Sequence, residues 1–161
     1  MVTKTHAIEL LSVIITSLVL GYIGVIAGAN LIAIDNPPDA PPSSNTVHVK
    51  IVARQFYWTF EYAANSSITF ANGTTHVFPN GTSMENTLMV RAGEIVYMEV
   101  VSMDVDHSFF IPQLGIHIDA IPGHDNHYWF TANTPGQYLI ECTQFCGTGH
   151  YTMIGQLIVT P

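Results

Sequence analysis

The chain has 161 residues, room for one ordinary domain and a small appendage. Apolar residues make up 48% and charged residues only 10%; a soluble domain carries about 25% charged residues, so the composition excludes both disorder and a soluble domain standing alone. Four Lys and Arg against twelve Asp and Glu give a net charge of −8, which argues against nucleic acid or anionic lipid headgroups as partners, and two cysteines are too few for a disulfide scaffold.

Residues 10–34, LLSVIITSLVLGYIGVIAGANLIAI, contain no Asp, Glu, Lys or Arg. As a helix at 1.5 Å per residue the run reaches about 37 Å, enough to cross a hydrocarbon core of about 30 Å with some tilt. It has no amphipathic period, which argues against a helix lying on the surface. Lys4 precedes the run and no Lys or Arg follows before Lys50, so the charge bias places the N-terminus inside and the rest of the chain outside. The rival reading is a cleaved secretory signal with Ala27-Gly28-Ala29 as its small-residue site, but the preceding apolar stretch 10–26 is long for that role. Residues 1–34 are therefore read as an N-terminal segment with a single transmembrane anchor. The four prolines within 35–45 mark that segment as a linker, and 46–161 as the outer domain.

From Thr46 onward the chain reads as strands. Val47, Val49, Ile51 and Ala53 would share one face of the first, with His48, Lys50, Val52 and Arg54 on the other. Residues 55–62 are rich in aromatics, and 94–103, 128–132, 136–142 and 152–159 are rich in β-formers. Turn signals separate them, among them Asn72-Gly73, Ala92-Gly93, Pro122-Gly123 and Pro135-Gly136. Short strands at this spacing predict a β-sandwich or barrel. The polar stretch 65–80 reads as an exposed loop or hairpin insertion in which three N-x-S/T sequons begin, at Asn65, Asn72 and Asn80.

The chemistry is concentrated near the C-terminus, where Cys142-Thr-Gln-Phe-Cys146-Gly-Thr-Gly-His150-Tyr-Thr-Met153 gathers two thiols, an imidazole and a thioether. Soft sulfur donors with imidazole suit copper, whereas zinc sites rarely use Met. A mononuclear blue-copper site needs one Cys, so the second thiolate points to two sulfurs that bridge two ions. A second imidazole must come from elsewhere. His107, shortly after the apolar strand ending near Met103, can meet this loop across a sandwich. The candidate ligand set is His107, Cys142, Cys146, His150 and Met153, with the Gln144 carbonyl as a sixth donor. The plain alternative is a Cys142–Cys146 disulfide, whose ring would be small and strained. His6, His48, His76, His117, His124 and His127 receive no ligand role, and Met84, Met89, Met98 and Met103 are read as packing residues.

C-x3-C-x3-H-x2-M after an anchor and an outer β domain resembles subunit II of haem–copper cytochrome c oxidases, the subunit that carries the CuA centre. Asp104-Val-Asp-His107-Ser, Leu114-Gly-Ile-His-Ile-Asp119-Ala-Ile-Pro-Gly123 and Arg54-Gln-Phe-Tyr-Trp58-Thr-Phe-Glu-Tyr62 resemble further segments of that family, in order. The resemblance implies a mainly β, cupredoxin-like Greek-key sandwich after one transmembrane helix, and a dinuclear copper centre. Cys142 and Cys146 would bridge the coppers, His107 and His150 would be terminal ligands, and Met153 and the Gln144 carbonyl weak ones. Electrons would come from a cytochrome c or small copper protein and pass to haem in subunit I, which reduces oxygen. The chain itself would hold no catalytic residue and would sit in the plasma membrane with its copper domain outside.

Three departures matter. Gln144 stands where the family usually has a Mg-binding Glu, which puts a Mg ion in doubt. Phe56 stands at the position of the Trp through which electrons would enter, and Trp58 matches the next Trp of the family, which reads more as a packing residue; the two are the candidates for electron entry, and entry through this patch stays open. One anchor is readable where many relatives have two. The branch of the oxidase family stays open, as does a CuA subunit of a nitric oxide reductase. A copper chaperone is a further alternative, expected to expose labile Cys and Met ligands.

Overall fold

The computed structural model describes residues 4–35, 46–63, 67–69, 75–77 and 82–161. Two compact units emerge, Met1–Asp39 and Ala40–Pro161.

The first unit is one helix, α1 (Lys4–Asp35). It begins six residues before the uncharged run and includes Asp35, which was expected to open the linker; the rest of that linker lies outside the described residues. Among the described residues this is the one helix long and apolar enough to cross a membrane. Its apolar side chains from Leu10 to Ile32 are exposed, as suits a helix whose solvent is lipid. The hydroxyls of Ser12 and Thr16 donate to helix carbonyls one turn back, of Glu9 and Ser12, so neither needs water.

The second unit is a β-sandwich. Its strands are β1 (Thr46–Arg54), β2 (Tyr57–Tyr62), β3 (Ser67–Thr69), β4 (Thr75–Val77), β5 (Ser83–Glu85), β6 (Thr87–Arg91), β7 (Ile95–Ser102), β8 (His107–Ile111), β9 (Ile116–Ala120), β10 (Asn126–Thr131), β11 (Gly136–Cys142) and β12 (Ile154–Thr160). One sheet runs β10-β7-β1-β2-β5 and the other β6-β12-β11-β8-β9. β1 pairs with β7 in parallel, as β12 does with β6, so each sheet mixes hairpins with crossovers. A turn with a cis Gln55–Phe56 peptide joins β1 to β2. The small β3–β4 hairpin falls in the polar insertion; the three sequon asparagines lie outside the described residues.

Alternation builds the core. Val47, Val49, Ile51 and Ala53 are buried, as their shared face predicted. Trp58, Phe60 and Tyr62 point inward from β2 to meet Leu88, Phe109, Ile140 and Leu157 in one cluster. The Tyr62 hydroxyl donates to the Met89 carbonyl at 3.0 Å and accepts from the Met89 N–H at 2.7 Å, tying the two sheets together. Asn86, with φ 51°, turns the chain from one sheet to the other. Its side chain accepts from Trp58 N–H at 2.9 Å and its carbonyl from Gln156 N–H at 2.9 Å. Met98 is buried and Met84 and Met89 pack on the core, but Met103 is 62% exposed, because it stands one residue past the end of β7.

Candidate metal centre

Three strand ends meet at one edge of the sandwich. The β7–β8 loop carries Asp104 and leads into His107, the first residue of β8. β11 ends at Cys142, and residues 143–153 return to β12. The return closes on itself, since Cys142 N–H donates to the Met153 carbonyl at 3.2 Å and Met153 N–H to the His150 carbonyl at 3.1 Å. Gly147 supplies a φ of 132° that a side chain would resist.

This closure brings together all six residues singled out in the sequence. His107 Nδ1 lies 3.8 Å from Cys142 Sγ, and the two sulfurs are 4.0 Å apart. Cys146 Sγ is 3.5 Å from His150 Nδ1 and 3.9 Å from Met153 Sδ. Cys142 Sγ is 3.2 Å from the Gln144 carbonyl oxygen. Both cysteines are free, at twice the length of a disulfide bond, so the disulfide alternative does not hold here. His107 is 0% exposed, Met153 1%, Cys146 4% and Cys142 7%. Among the described residues, His107, Cys142 and Cys146 form a three-donor group with ligand atoms within 4.8 Å of one another. Two facing thiols, each beside an imidazole nitrogen and a weaker oxygen or thioether donor, fit soft-to-borderline ions such as copper.

The family model for the periplasmic domain of cytochrome c oxidase subunit II matches residues 47–159. The chain belongs to the cytochrome c oxidase subunit II family. Cytochrome c oxidase subunit 2 of Alkalihalophilus pseudofirmus is 33% identical over 141 residues, covering 88% of this chain and 36% of that one, so the chain spans about a third of that curated relative's length. The periplasmic domain of subunit II of cytochrome oxidase from Bradyrhizobium japonicum is 28% identical with a TM-score of 0.57, covering 71% of this chain and 83% of the other. A chain of a heme-copper terminal oxidase dimer shares the fold, with a TM-score of 0.65 at 24% identity, over 95% of this chain and 99% of the other. The architecture is the cupredoxin-like sandwich of this family, preceded by one apolar helix.

Within this subunit II chain the thiols are driven apart in acidity. Burial opposes ionisation of Cys142, but hydrogen bonding from His107 and from the backbone of Ser108 and Gln144 outweighs it and brings the thiol down to about 7. Burial and the neighbouring Cys142 charge push Cys146 up to about 11. One thiolate forms readily without a metal; the second requires a cation's field.

His107 is held from behind. Its Nε2 donates to Asp104 Oδ1 at 2.8 Å, which leaves Nδ1 facing the sulfurs. Burial works against the charged imidazole, yet Cys142 and Asp104 together raise its pKa. Burial likewise opposes the Asp104 carboxylate, but the N–H of Gln55, His107 and the N–H of Val105 hold its pKa below the ordinary value. Sequence reasoning named Asp104 only as part of the Asp104-Val-Asp-His107-Ser segment and missed this role, although the Asp-x-x-His spacing is its local signal.

Of the two residues expected to admit electrons, Trp58 is 0% exposed and packs edge-on to Phe109 and His107, with centroids at 5.3 and 6.2 Å. It is a core residue behind the candidate donors. Phe56 is half-buried on the ligand loop: a Cβ placed on Gly149 would come within 2.4 Å of its ring. Around the buried donors stand exposed apolar side chains, Phe145 at 74% and Tyr151 at 78%. His117 binds Thr143 Oγ1 at 2.9 Å, beside the loop but outside the donor set.

Proposed function

We propose that this chain is the electron-carrying subunit of a membrane-bound terminal oxidase. It would take electrons from a cytochrome c or small copper protein and pass them to haem in subunit I, where oxygen is reduced to water. The observation that carries the reading is the convergence of His107, Cys142, the Gln144 carbonyl, Cys146, His150 and Met153 at a single point, four of them buried. In this reading Cys142 and Cys146 would be donors shared by two ions, His107 and His150 would each hold one of them, and Met153 and the Gln144 carbonyl would be weak donors. Bound there, a copper pair would supply a one-electron carrier whose charge change is spread over two metals.

The protein's own part is to hold donors still and keep water out. Ligands from a strand start, a strand end and a short closed loop leave few motions open on a change of charge. Burial of four of the six donors also argues against a chaperone, which must release its ion. Gln144 is exposed and its amide offers a hard cation no carboxylate, so Mg stays outside the proposal. Lys4 at the start of α1, with no further Lys or Arg before Lys50, supports a cytoplasmic N-terminus and an outer β unit in the plasma membrane.

The test is copper loading of the full chain in detergent, followed by electron paramagnetic resonance. Hyperfine structure from one electron shared by two coppers is expected at two coppers per chain. A single-copper pattern, or no uptake, would overturn the reading.

A further inference from the structure

The donors come from two segments that secondary structure joins only partly. β8 and β11 share two ladder rungs, Glu141 with Phe110 and Cys142 with Phe109. One further bond, Thr143 N–H to the Ser108 carbonyl at 3.2 Å, extends the pairing. Met153 is tied back to Cys142 by the closing bond and the neighbouring Glu141–Ile154 rung, but Cys146 and His150 lie between, on the loop from residue 143 to 152, where no ladder rung fixes their distance from His107.

A second path connects them around the outside of the site. His107 Nε2 donates to Asp104 Oδ1 at 2.8 Å. The other carboxylate oxygen, Oδ2, accepts the Gln55 backbone N–H at 2.7 Å. The Gln55 side chain then donates through Nε2 to the Cys146 carbonyl at 2.5 Å. Four groups from three segments thus stand in series, each bonded to the next, and two of the links are charge-assisted. The neighbouring Phe56 ring lies against Gly147 and Gly149 of the same loop, so the turn that carries Gln55 is seated on it.

We propose that Asp104 and Gln55 form a strap that sets the spacing between the His107 half and the Cys146 half of the ligand set, and that both are positioning residues. The proposal rests on the metal-centre reading above. Asp104 serves the strap through both oxygens, one for each side, which a single-acceptor residue cannot do. Gln55 serves it with two donors, backbone toward Asp104 and side chain toward Cys146. A strap in series has a signature that separate local contacts lack: cutting either link cuts the whole.

The test uses the full chain in detergent, loaded with copper, as Asp104→Asn, Gln55→Leu and the double variant; Gln55→Leu keeps the backbone donor to Asp104 and loses the side-chain donor to Cys146. The readout is the rate of copper loss to excess chelator, with the resonance spectrum recorded alongside. Each single variant is expected to lose copper about tenfold faster than wild type, and the double variant about tenfold, not a hundredfold. Singles within about twofold of wild type, or a double variant near the product of the singles, would overturn the strap. The metal-free reduced chain gives an independent arm: amide hydrogen exchange at Gly147 to Thr152 should quicken about tenfold in each variant and no further in the double. Should wild type take up no copper pair, the metal-centre reading fails, and this exchange arm still decides the strap.

Discussion

Cys146 faces three other donors at once: Cys142 Sγ at 4.0 Å, His150 Nδ1 at 3.5 Å and Met153 Sδ at 3.9 Å. Replacing its sulfur removes one of the two thiols that would be shared between the two ions. Cys146→Ser should therefore abolish the two-copper resonance pattern, leaving a single-copper signal or none. His117→Ala is the matched control, since His117 touches Thr143 and no donor; its spectrum should be that of wild type. A dinuclear pattern surviving in Cys146→Ser would remove that cysteine from the bridge. At this scale the donors were legible because soft-ligand chemistry leaves a spacing on the chain, C-x3-C-x3-H-x2-M. Their supports were not. Gln55 is 49 residues from Asp104 and 91 from Cys146, and a hydrogen bond across such a separation has no local pattern. Trp58 was read mainly as a packing residue and is fully buried, but an aromatic run suits surface chemistry and core packing alike, and only the sheet's inward face separates them.

Elements that read well in the sequence were those with alternating burial. β1 and β7 place every second residue inward, and both were foreseen close to their limits. β8, His107–Ile111, is buried at four of its five positions, so it has no period to detect and was not read as a strand. Pairing was less legible still, because β1 finds β7 in parallel across the whole insertion. The turn between β1 and β2 matters most for the site, and Gly149 gives a way to test its seat. A methyl there would sit 2.4–2.8 Å from three carbons of the Phe56 ring, far inside van der Waals contact. Gly149→Ala should cost about 1–3 kcal/mol of local strain, release copper severalfold faster and lower the melting temperature of the metal-free sandwich by roughly 3–15 °C. Unchanged copper release would show that Phe56 yields freely. A second element carries a pH dependence. Glu94 caps the turn from β6 to β7, accepting the Arg91 N–H at 2.9 Å, and burial raises its pKa. A carboxyl that holds its proton more tightly when folded loses stability as pH rises from its unfolded value through its folded one. Glu94→Gln keeps an acceptor and removes that slope. Thermal unfolding at pH 5 and at pH 7.5 should show the variant gaining on wild type at the higher pH; an equal gap at both would assign the capping bond no titration.

The whole chain carries −8, but the fold decides which acids a partner meets. Glu99 is taken by Lys50 in an ion pair of 2.6 Å, and Asp104 is turned toward Gln55 and His107. Register places three exposed acids at the metal edge. Asp106 precedes His107, Asp119 pairs with Ser108, and Asp125 sits one residue beyond the Asn126–Val100 rung. Arg54 closes β1 at that edge, and Lys50 is close enough to feel the charge of Asp125. The same edge also presents Phe145, Tyr151 and Met103, exposed by 74%, 78% and 62%. Two docking modes therefore compete at one surface, and ionic strength separates them. If the acids steer a basic donor, raising salt from about 10 mM to about 150 mM shortens the screening length from roughly 30 Å to roughly 8 Å, and the second-order rate of electron uptake should fall about tenfold. Asp106→Asn with Asp125→Asn should lower the low-salt rate and flatten the dependence, while the resonance spectrum stays that of wild type. Apolar contact predicts the reverse: a rate indifferent to salt and to those two acids, but reduced by Phe145→Ser or Tyr151→Ser. Stopped-flow mixing with a reduced basic cytochrome c at several salt concentrations gives the slope. A flat slope would hand docking to the apolar side chains and leave the negative charge of this edge without a part in it.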